Sequence, residues 1–137
     1  MDNSSSRRVD VFFYGLYMDD SILKNLGVVV SHKKPVYVEG YRLRVGKNAT
    51  LLREENSRAY GVVCSLSHSD IHRLYAARGL ANYVPEAITV RTSEGRGFAA
   101  ICYVLLTPPH EDEINSDYYQ TLVSCMKVYG LPIPASV

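Results

Sequence analysis

The chain has 137 residues, of which 47% are hydrophobic and 21% charged, and its formal net charge is +1. This length is enough for one domain with a single substantial core, and the near-neutral charge gives no electrostatic reason to expect binding to nucleic acid or to an anionic membrane. Because no stretch is long and apolar enough for a transmembrane helix, and the N-terminal segment is too polar for a signal peptide, we expect a soluble, cytoplasmic protein.

The beginning of the chain predicts a tail, a strand and a short helix. Residues 1–8 are serine-rich and charged, which is typical of a mobile tail, and we expect a single domain over residues 9–137. The segment 9–14 is rich in β-branched and aromatic residues and predicts a buried strand. Asp19 is a typical residue to begin a helix, and Gly27 is a typical residue to end one.

Gly15 interrupts this apolar segment and makes the junction between strand and helix a candidate binding loop. A glycine lets the backbone approach a ligand without a Cβ in the way, and the amides that follow it can point into one concavity that suits a small anion. The loop is not a P-loop, because no Gly-Lys-Ser/Thr follows, and it lacks the second glycine of a dinucleotide-binding fingerprint. The alternative is that Gly15 only ends a core strand.

The middle of the chain predicts strands joined by short turns and then a second helix. Polar residues at 54–57 predict a turn, and Ser67 with Asp70 resembles a capping box at the start of a helix that Gly79 would end. Residues 28–30 and 36–38 are short apolar runs, the alternating segment 41–45 predicts a half-buried strand, and 49–52 and 59–66 predict further strands.

The C-terminal half predicts a hairpin and a closing helix. Strands 87–90 and 98–106 flank a turn at 93–97, whereas the two prolines within 107–113 exclude a helix or a central strand. An apolar stripe that starts at Ser116 predicts a helix that ends near Gly130. Six or seven strands with fewer helices indicate an α+β domain around one curved or closed sheet.

Few residues stand in patterns that carry known chemistry. His68 and His72 are four residues apart on the predicted second helix, but nothing is placed to complete a metal site with them, so we expect surface histidines. No serine or cysteine has the context of an activated nucleophile, and the cysteines are expected to be buried free thiols. The chain has 11 tyrosines, and five of them adjoin predicted loops or strand ends where their hydroxyls could face a small cavity: Tyr14, Tyr17, Tyr83, Tyr103 and Tyr118.

Five segments, in the correct order, resemble the gamma-glutamylcyclotransferase superfamily, which includes the AIG2-like proteins. The sequence Phe-Tyr-Gly-Leu-Tyr-Met at 13–18 is similar to the family's Tyr-Gly-Ser-Asn/Thr-Leu loop after the first strand. The other segments are Tyr-Gly-Val-Val at 60–63 with the helix that ends at 74–75, Tyr83 with the strand 87–90, Cys-Tyr-Val at 102–104, and the closing helix 118–129 with Gly-Leu-Pro at 130–132. The resemblance covers almost the whole chain.

The resemblance implies a small mixed β-barrel of about six or seven strands flanked by helices, with a cavity at the Tyr14–Gly15 loop. In active members, the loop amides hold the γ-glutamyl part of the substrate, and a glutamate after the Leu-Asp helix removes a proton from its α-amine. The amine then attacks the γ-carbonyl, which closes 5-oxoproline and releases the attached amine. This transferase-type reaction is intramolecular, so it implies neither a metal nor a cofactor.

The chain departs from the family pattern at the residues on which this chemistry depends. The segment 74–79 reads Leu-Tyr-Ala-Ala-Arg-Gly, so the position of the base holds alanine or arginine. Arg78 keeps its proton at any useful pH and cannot be a general base, although it could bind a carboxylate. Leu16 replaces the serine of the loop and removes a hydroxyl donor. We therefore expect weak or absent cyclotransferase activity.

Three interpretations remain open. The protein is an enzyme in which another carboxylate serves as base, Glu86 being the best candidate and Asp19 and Glu39 the next. Alternatively, it is a non-catalytic module for a small carboxylate or amino-acid derivative, or an interaction protein with a vestigial cavity, and a homodimer is one option for its assembly. In the binding interpretation Arg78 supplies the counter-charge and the substrate-binding residues are Phe13, Tyr14, Gly15, Leu16, Tyr17, Tyr83 and Tyr118.

Overall fold

The computed structural model describes Ser4 and residues 7–76, 80, 82–110, 113 and 115–133. Its strands are β1 (Arg8–Phe13), β2 (Ser31–Val45), β3 (Ala49–Ser67), β4 (Tyr83–Arg91) and β5 (Gly97–Leu105). Its helices are α1 (Asp20–Asn25), α2 (His68–Tyr75) and α3 (Ser116–Val128), with a short 3-10 helix at Leu16–Met18.

The strands form a closed barrel in the order β1-β3-β2-β4-β5. Neighbouring strands are antiparallel, except that β5 closes the barrel onto β1 in parallel. Five barrel strands with flanking helices confirm the expected α+β fold, although the strand number is lower than six or seven. The difference arises because the expected short strands in the middle of the chain belong to two long ones.

The long strands β2 and β3 stay paired across an irregularity. The register passes from Glu39 opposite Arg58 to Tyr41 opposite Arg53, so the four residues 54–57 lie opposite the single Gly40. Gly40 has φ +83, a conformation that favours glycine. The polar segment that predicts a turn is therefore a wide bulge inside β3.

The apolar run at 28–30 is not a strand. Gly27 has φ +72, and the N–H of Val28 donates to the carbonyl of Leu23 over 3.0 Å, which is the pattern of a helix C-terminus closed by glycine. The apolar residues 28–30 thus form the exit from α1. Val28 is buried in the core, whereas Val29 is 69% exposed.

The three predicted helices are confirmed, and each begins at a side-chain cap. Asp19 accepts from the N–H of Ser21, Ser67 accepts from the N–H of Asp70, and Asn115 accepts from the N–H of Tyr118. The Asn115 side chain also donates to the carbonyl of Gly46 over 3.1 Å, which fixes the start of α3 against the β2–β3 turn. Gly79, the expected end of α2, lies outside the described residues.

The core fills the barrel and the space beneath α2 and α3. All three cysteines, Cys64, Cys102 and Cys125, are buried and unpaired, as expected. Within the described ranges, no helix has the length and apolar character that crossing a bilayer would require. The largest fully buried side chains include Phe12, Met18, Leu23, Leu66, Leu74 and Leu122.

Candidate functional site

A cavity of about 250 Å³ lies where β1 ends and the chain turns into the 3-10 helix. Seven of the eight predicted binding residues line it: Phe13, Tyr14, Gly15, Leu16, Tyr17, Tyr83 and Tyr118. The eighth, Arg78, lies outside the described residues. The other lining residues, which the sequence did not single out, are Phe12, Ile22, Asn48, Ala49, Tyr75 and Leu80.

The loop at the mouth of the cavity is held from two sides. The N–H of Leu16 donates to the hydroxyl oxygen of Tyr118 over 3.3 Å, so α3 contacts the loop directly. At the other end of the loop, the carbonyl of Met18 accepts from the ammonium of Lys33 over 2.5 Å and from the hydroxyl of Tyr129 over 3.1 Å. Lys33 in β2 and Tyr129 directly after α3 thus both bind this carbonyl and tie the end of the loop to two other parts of the fold.

Three of the tyrosine hydroxyls in the cavity are already bound to backbone carbonyls. The hydroxyl of Tyr14 donates to the carbonyl of Tyr103 over 2.5 Å, and that of Tyr17 donates to the carbonyl of Leu74 over 2.7 Å. The hydroxyl of Tyr83 donates to the carbonyl of Ala49. These bonds satisfy groups that would otherwise be buried without a partner, and they leave these three hydroxyls without a proton to offer a ligand.

Tyr75 forms the aromatic wall of the cavity. Its ring stacks on that of Tyr103, with centroids 4.0 Å apart and planes at 18°, and the ring of Tyr17 meets it edge-on at 5.7 Å. Among the described residues, the hydroxyl of Tyr75 has no hydrogen-bond partner. It differs from Nη2 of Arg44, which is the one fully buried side-chain polar atom without a partner in the described part of the chain. Tyr75 therefore lines the cavity with a hydroxyl proton that no described residue accepts.

The sequence did contain a signal for Tyr75. Helical spacing places it on the same face of α2 as Ile71 and Leu74, which are both buried. That spacing predicts contact with the core, but it does not distinguish a packed side chain from one that lines a cavity.

The tyrosines of the cavity are neutral near physiological pH. Burial raises the pKa of Tyr118 to about 12 and holds the pKa values of Tyr14, Tyr75 and Tyr83 well above the ordinary value. No described lining residue carries a charge. The cavity consequently offers neutral hydroxyl groups and aromatic surface.

The structure does not bring the candidate base Glu86 into this cavity. One carboxylate oxygen of Glu86 accepts from the hydroxyl of Tyr41 over 2.7 Å, and the other accepts from Nη2 of Arg53 over 3.2 Å. These contacts join β4 to β2 and β3 beyond the short stretch where β2 and β4 pair through their backbones. Glu86 therefore bridges a gap in the barrel wall and is not among the lining residues.

The two weaker candidates for the general base, Asp19 and Glu39, also bind groups outside the cavity. Asp19 caps α1, and its hydrogen bonds to the hydroxyl and N–H of Ser21 lower its pKa. Glu39 pairs with Arg58 over 3.1 Å and lies 3.9 Å from Arg91. Neither carboxylate lines the cavity.

The two histidines of α2 do not belong to the cavity. His68 and His72 are exposed on the outer face of this helix. Within the part of the chain that the structure describes, no three histidine, cysteine, aspartate or glutamate side chains are grouped as a metal site would require.

Comparison with solved structures shows which proteins share this fold. A protein described as a gamma-glutamyl cyclotransferase matches with a TM-score of 0.76 at 17% identity, over 93% of this chain and 83% of its own. An uncharacterized human protein matches with a TM-score of 0.74 at 19% identity, over 92% of this chain and 82% of its own. YkqA from Bacillus subtilis matches with a TM-score of 0.75 at 20% identity, over 93% of this chain and 51% of its own. At these identities the similarity shows the fold alone.

Sequence comparison assigns the family. Among curated protein sequences, none matches the chain. The model of the family described as "Gamma-glutamyl cyclotransferase, AIG2-like" matches residues 11–121, which include β1, the cavity loop and most of the barrel. This match covers far more than half of the chain, and the chain belongs to the gamma-glutamyl cyclotransferase, AIG2-like family.

Proposed function

We propose that this gamma-glutamylcyclotransferase-like protein binds a small carboxylate ligand in the tyrosine-lined cavity and has weak or no cyclotransferase activity. The observation that carries the proposal is the chemistry of the lining: a loop of the family's type, several neutral hydroxyls and no carboxylate among the described lining residues. Such a lining suits the recognition of an anion or a carbonyl group better than the removal of a proton.

The missing carboxylate matters because the family reaction needs a base at the α-amine. The chain between Tyr75 and Tyr83, both of which line the cavity, reads Ala-Ala-Arg-Gly-Leu-Ala-Asn and contains no acid. A tyrosine with a raised pKa is a poor substitute, because its hydroxyl stays protonated. General acid–base catalysis contributes roughly 10²- to 10⁴-fold to a rate, so its loss leaves little activity even if the substrate binds well.

The experiment combines a product assay with a binding assay on the full chain. We expect the pure protein to release little or no 5-oxoproline from γ-glutamyl dipeptides, and to show a higher melting temperature in the presence of at least one small carboxylate from a panel. Ready turnover would contradict the inactive assignment, and a panel that leaves the melting temperature unchanged would contradict the binding assignment.

A pair of matched variants locates the binding. Tyr118→Phe removes the hydroxyl that meets the loop and should reduce the shift in melting temperature. Tyr37→Phe is the control. Tyr37 lies between the buried Val36 and Val38 in β2 and does not line the cavity. The Cζ atom of Arg58 lies 4.5 Å from the centroid of its ring. The control should keep the full shift.

A further inference from the structure

The cavity offers hydrogen-bond donors and no negative charge. The hydroxyls of Tyr75 and Tyr118 both have a proton available: Tyr75 has no partner among the described residues, and the oxygen of Tyr118 accepts from Leu16 without its own proton being used. The other three hydroxyls of the lining are committed to backbone carbonyls. A carboxylate or a carbonyl oxygen is the natural partner for two such donors.

An ammonium group finds no comparable partner. An α-amine is largely protonated near neutral pH, and burying a charged group away from water is costly unless an opposite charge or several acceptors surround it. No described lining residue is anionic, and each of the three backbone carbonyls that bind cavity tyrosines already accepts at least one hydrogen bond. A ligand with a free α-amine therefore exchanges the hydration of that group for, at most, the remaining acceptor capacity of these carbonyls, with no opposite charge in the described lining.

The remaining surface of the cavity is aromatic. Tyr17 and Tyr83 lie at 5.7 and 5.8 Å from the ring of Tyr75, measured between centroids, so they extend a wall of rings along one side. Offset and edge-on ring contacts favour an apolar or aromatic group in the ligand.

We propose that the cavity selects a carboxylate ligand that lacks an α-ammonium group, with its acceptor group on the hydroxyls of Tyr75 and Tyr118 and an apolar group against the tyrosine wall. The chemical class is the half-amide of a dicarboxylic acid with an apolar amine. This ligand has the carboxylate, chain and amide of a γ-glutamyl amide but not its amine. The inference rests on the proposed function, because it specifies which small carboxylate the same cavity takes.

Two probes that differ in one group test the selection. Glutaryl anilide and γ-glutamyl anilide share the anilide, the three-carbon chain and the carboxylate, and only the second carries the α-amine. We expect calorimetry at neutral pH to show that the full chain binds glutaryl anilide at least tenfold more tightly. Equal affinities, or tighter binding of γ-glutamyl anilide, would overturn the inference while leaving the proposed binding function intact. If neither probe bound, the inference would fall, and if no member of the carboxylate panel bound either, the proposed function would fall with it.

Tyr75→Phe tests the assigned contact. It keeps the ring that stacks on Tyr103 and removes a hydroxyl that bonds to no described residue, so the melting temperature of the free protein should not change. The affinity for glutaryl anilide should fall about tenfold, as expected for the loss of a hydrogen bond to a charged group. Tyr37→Phe should leave this affinity unchanged. An unaltered affinity in Tyr75→Phe would overturn the assignment of Tyr75 as a ligand-binding residue.

Discussion

The hydroxyl oxygen of Tyr118 lies 2.6 Å from the point that a Cβ atom on Gly15 would occupy. This separation is too short for any side chain at position 15 unless Tyr118 moves. The same hydroxyl accepts from the N–H of Leu16, so movement of Tyr118 would also break the contact between α3 and the cavity loop. Gly15 is thus required by the approach of a helix to the loop, in addition to any approach of a ligand.

Gly15→Ala should therefore impair the cavity more than the fold. We expect the new methyl group to displace Tyr118 and to reduce ligand affinity at least tenfold, with a loss of stability of about 1 to 3 kcal/mol from overpacking. Isothermal calorimetry and urea denaturation measure the two effects. Gly97→Ala is the matched control, because a Cβ there meets side-chain atoms of Arg91 and Thr89 at 3.3 Å, outside the cavity. Unchanged ligand affinity in Gly15→Ala would contradict the role given to the Gly15–Tyr118 contact.

The buried tyrosines should make the protein sensitive to high pH. An unfolded tyrosine has a pKa of about 10, whereas burial raises the pKa of Tyr118 to about 12 and also raises those of Tyr14, Tyr75 and Tyr83. When the pH lies between the pKa of a tyrosine in the unfolded chain and its pKa in the native protein, the unfolded chain has lost a proton that the native protein keeps. The free energy of unfolding should accordingly decrease as the pH rises above about 10.

Denaturation by urea at a series of pH values measures this dependence. Tyr118→Phe removes one of the groups and should show a shallower decrease than the unmodified chain, which separates its contribution from that of the lysines. A free energy of unfolding that stays constant from about pH 9 to about pH 11.5 would contradict the burial of neutral tyrosines in the cavity.

Glu86→Gln should leave the chemistry of the cavity unchanged. Arg53 is 78% exposed in its pair with Glu86, so loss of this ion pair should cost less than about 1 kcal/mol. Because Glu86 does not line the cavity, ligand affinity and any residual release of 5-oxoproline should match those of the unmodified chain. Turnover that is present in the unmodified chain and absent in Glu86→Gln would instead identify Glu86 as the base.

A new carboxylate near the family position of the base should increase activity. The resemblance of 74–79 to the family segment assigns that position to one of three residues, so Ala76→Glu, Ala77→Glu and Arg78→Glu are tested separately. We expect one of them to release 5-oxoproline from a γ-glutamyl dipeptide faster than the unmodified chain by roughly 10²-fold or more. The corresponding glutamine variants are the controls, because they match the size of glutamate without its basicity. Equal rates in the glutamate and glutamine variants would show that a missing base is not what limits the reaction.

Much of the fold could be predicted from local sequence patterns, and the errors of that prediction have identifiable physical causes. Helix caps such as Ser67 and helix ends such as Gly130 depend on neighbouring residues in the chain, so the sequence contains them. The wide bulge opposite Gly40 depends on the register between two distant strands, and a polar stretch such as 54–57 resembles a turn whether or not the strand continues.

The candidate site shows the same division. The loop around Gly15 is continuous in sequence, so its residue types alone predict a turn between a strand and a helix. Tyr75 on α2 and Ala49 at the start of β3 reach the cavity only because these elements pack beside that loop. The helical spacing of Tyr75 predicts contact with the core, but it does not indicate a cavity. Glu86 shows the opposite error. It is close in sequence to Tyr83, which lines the cavity, but in the folded strand its carboxylate binds Tyr41 outside the cavity.

The carbonyl of Ala49 accepts from Tyr83 and lies 3.5 Å from the hydroxyl of Tyr14, so removal of the Tyr83 oxygen would free one of its two lone pairs. A change of Tyr83 to phenylalanine needs only one nucleotide substitution in its codon. It would leave the carbonyl of Ala49 able to accept a hydrogen bond from a ligand. Under the proposed binding function, this substitution would favour ligands that place a neutral hydrogen-bond donor at this carbonyl, without any change in backbone or charge.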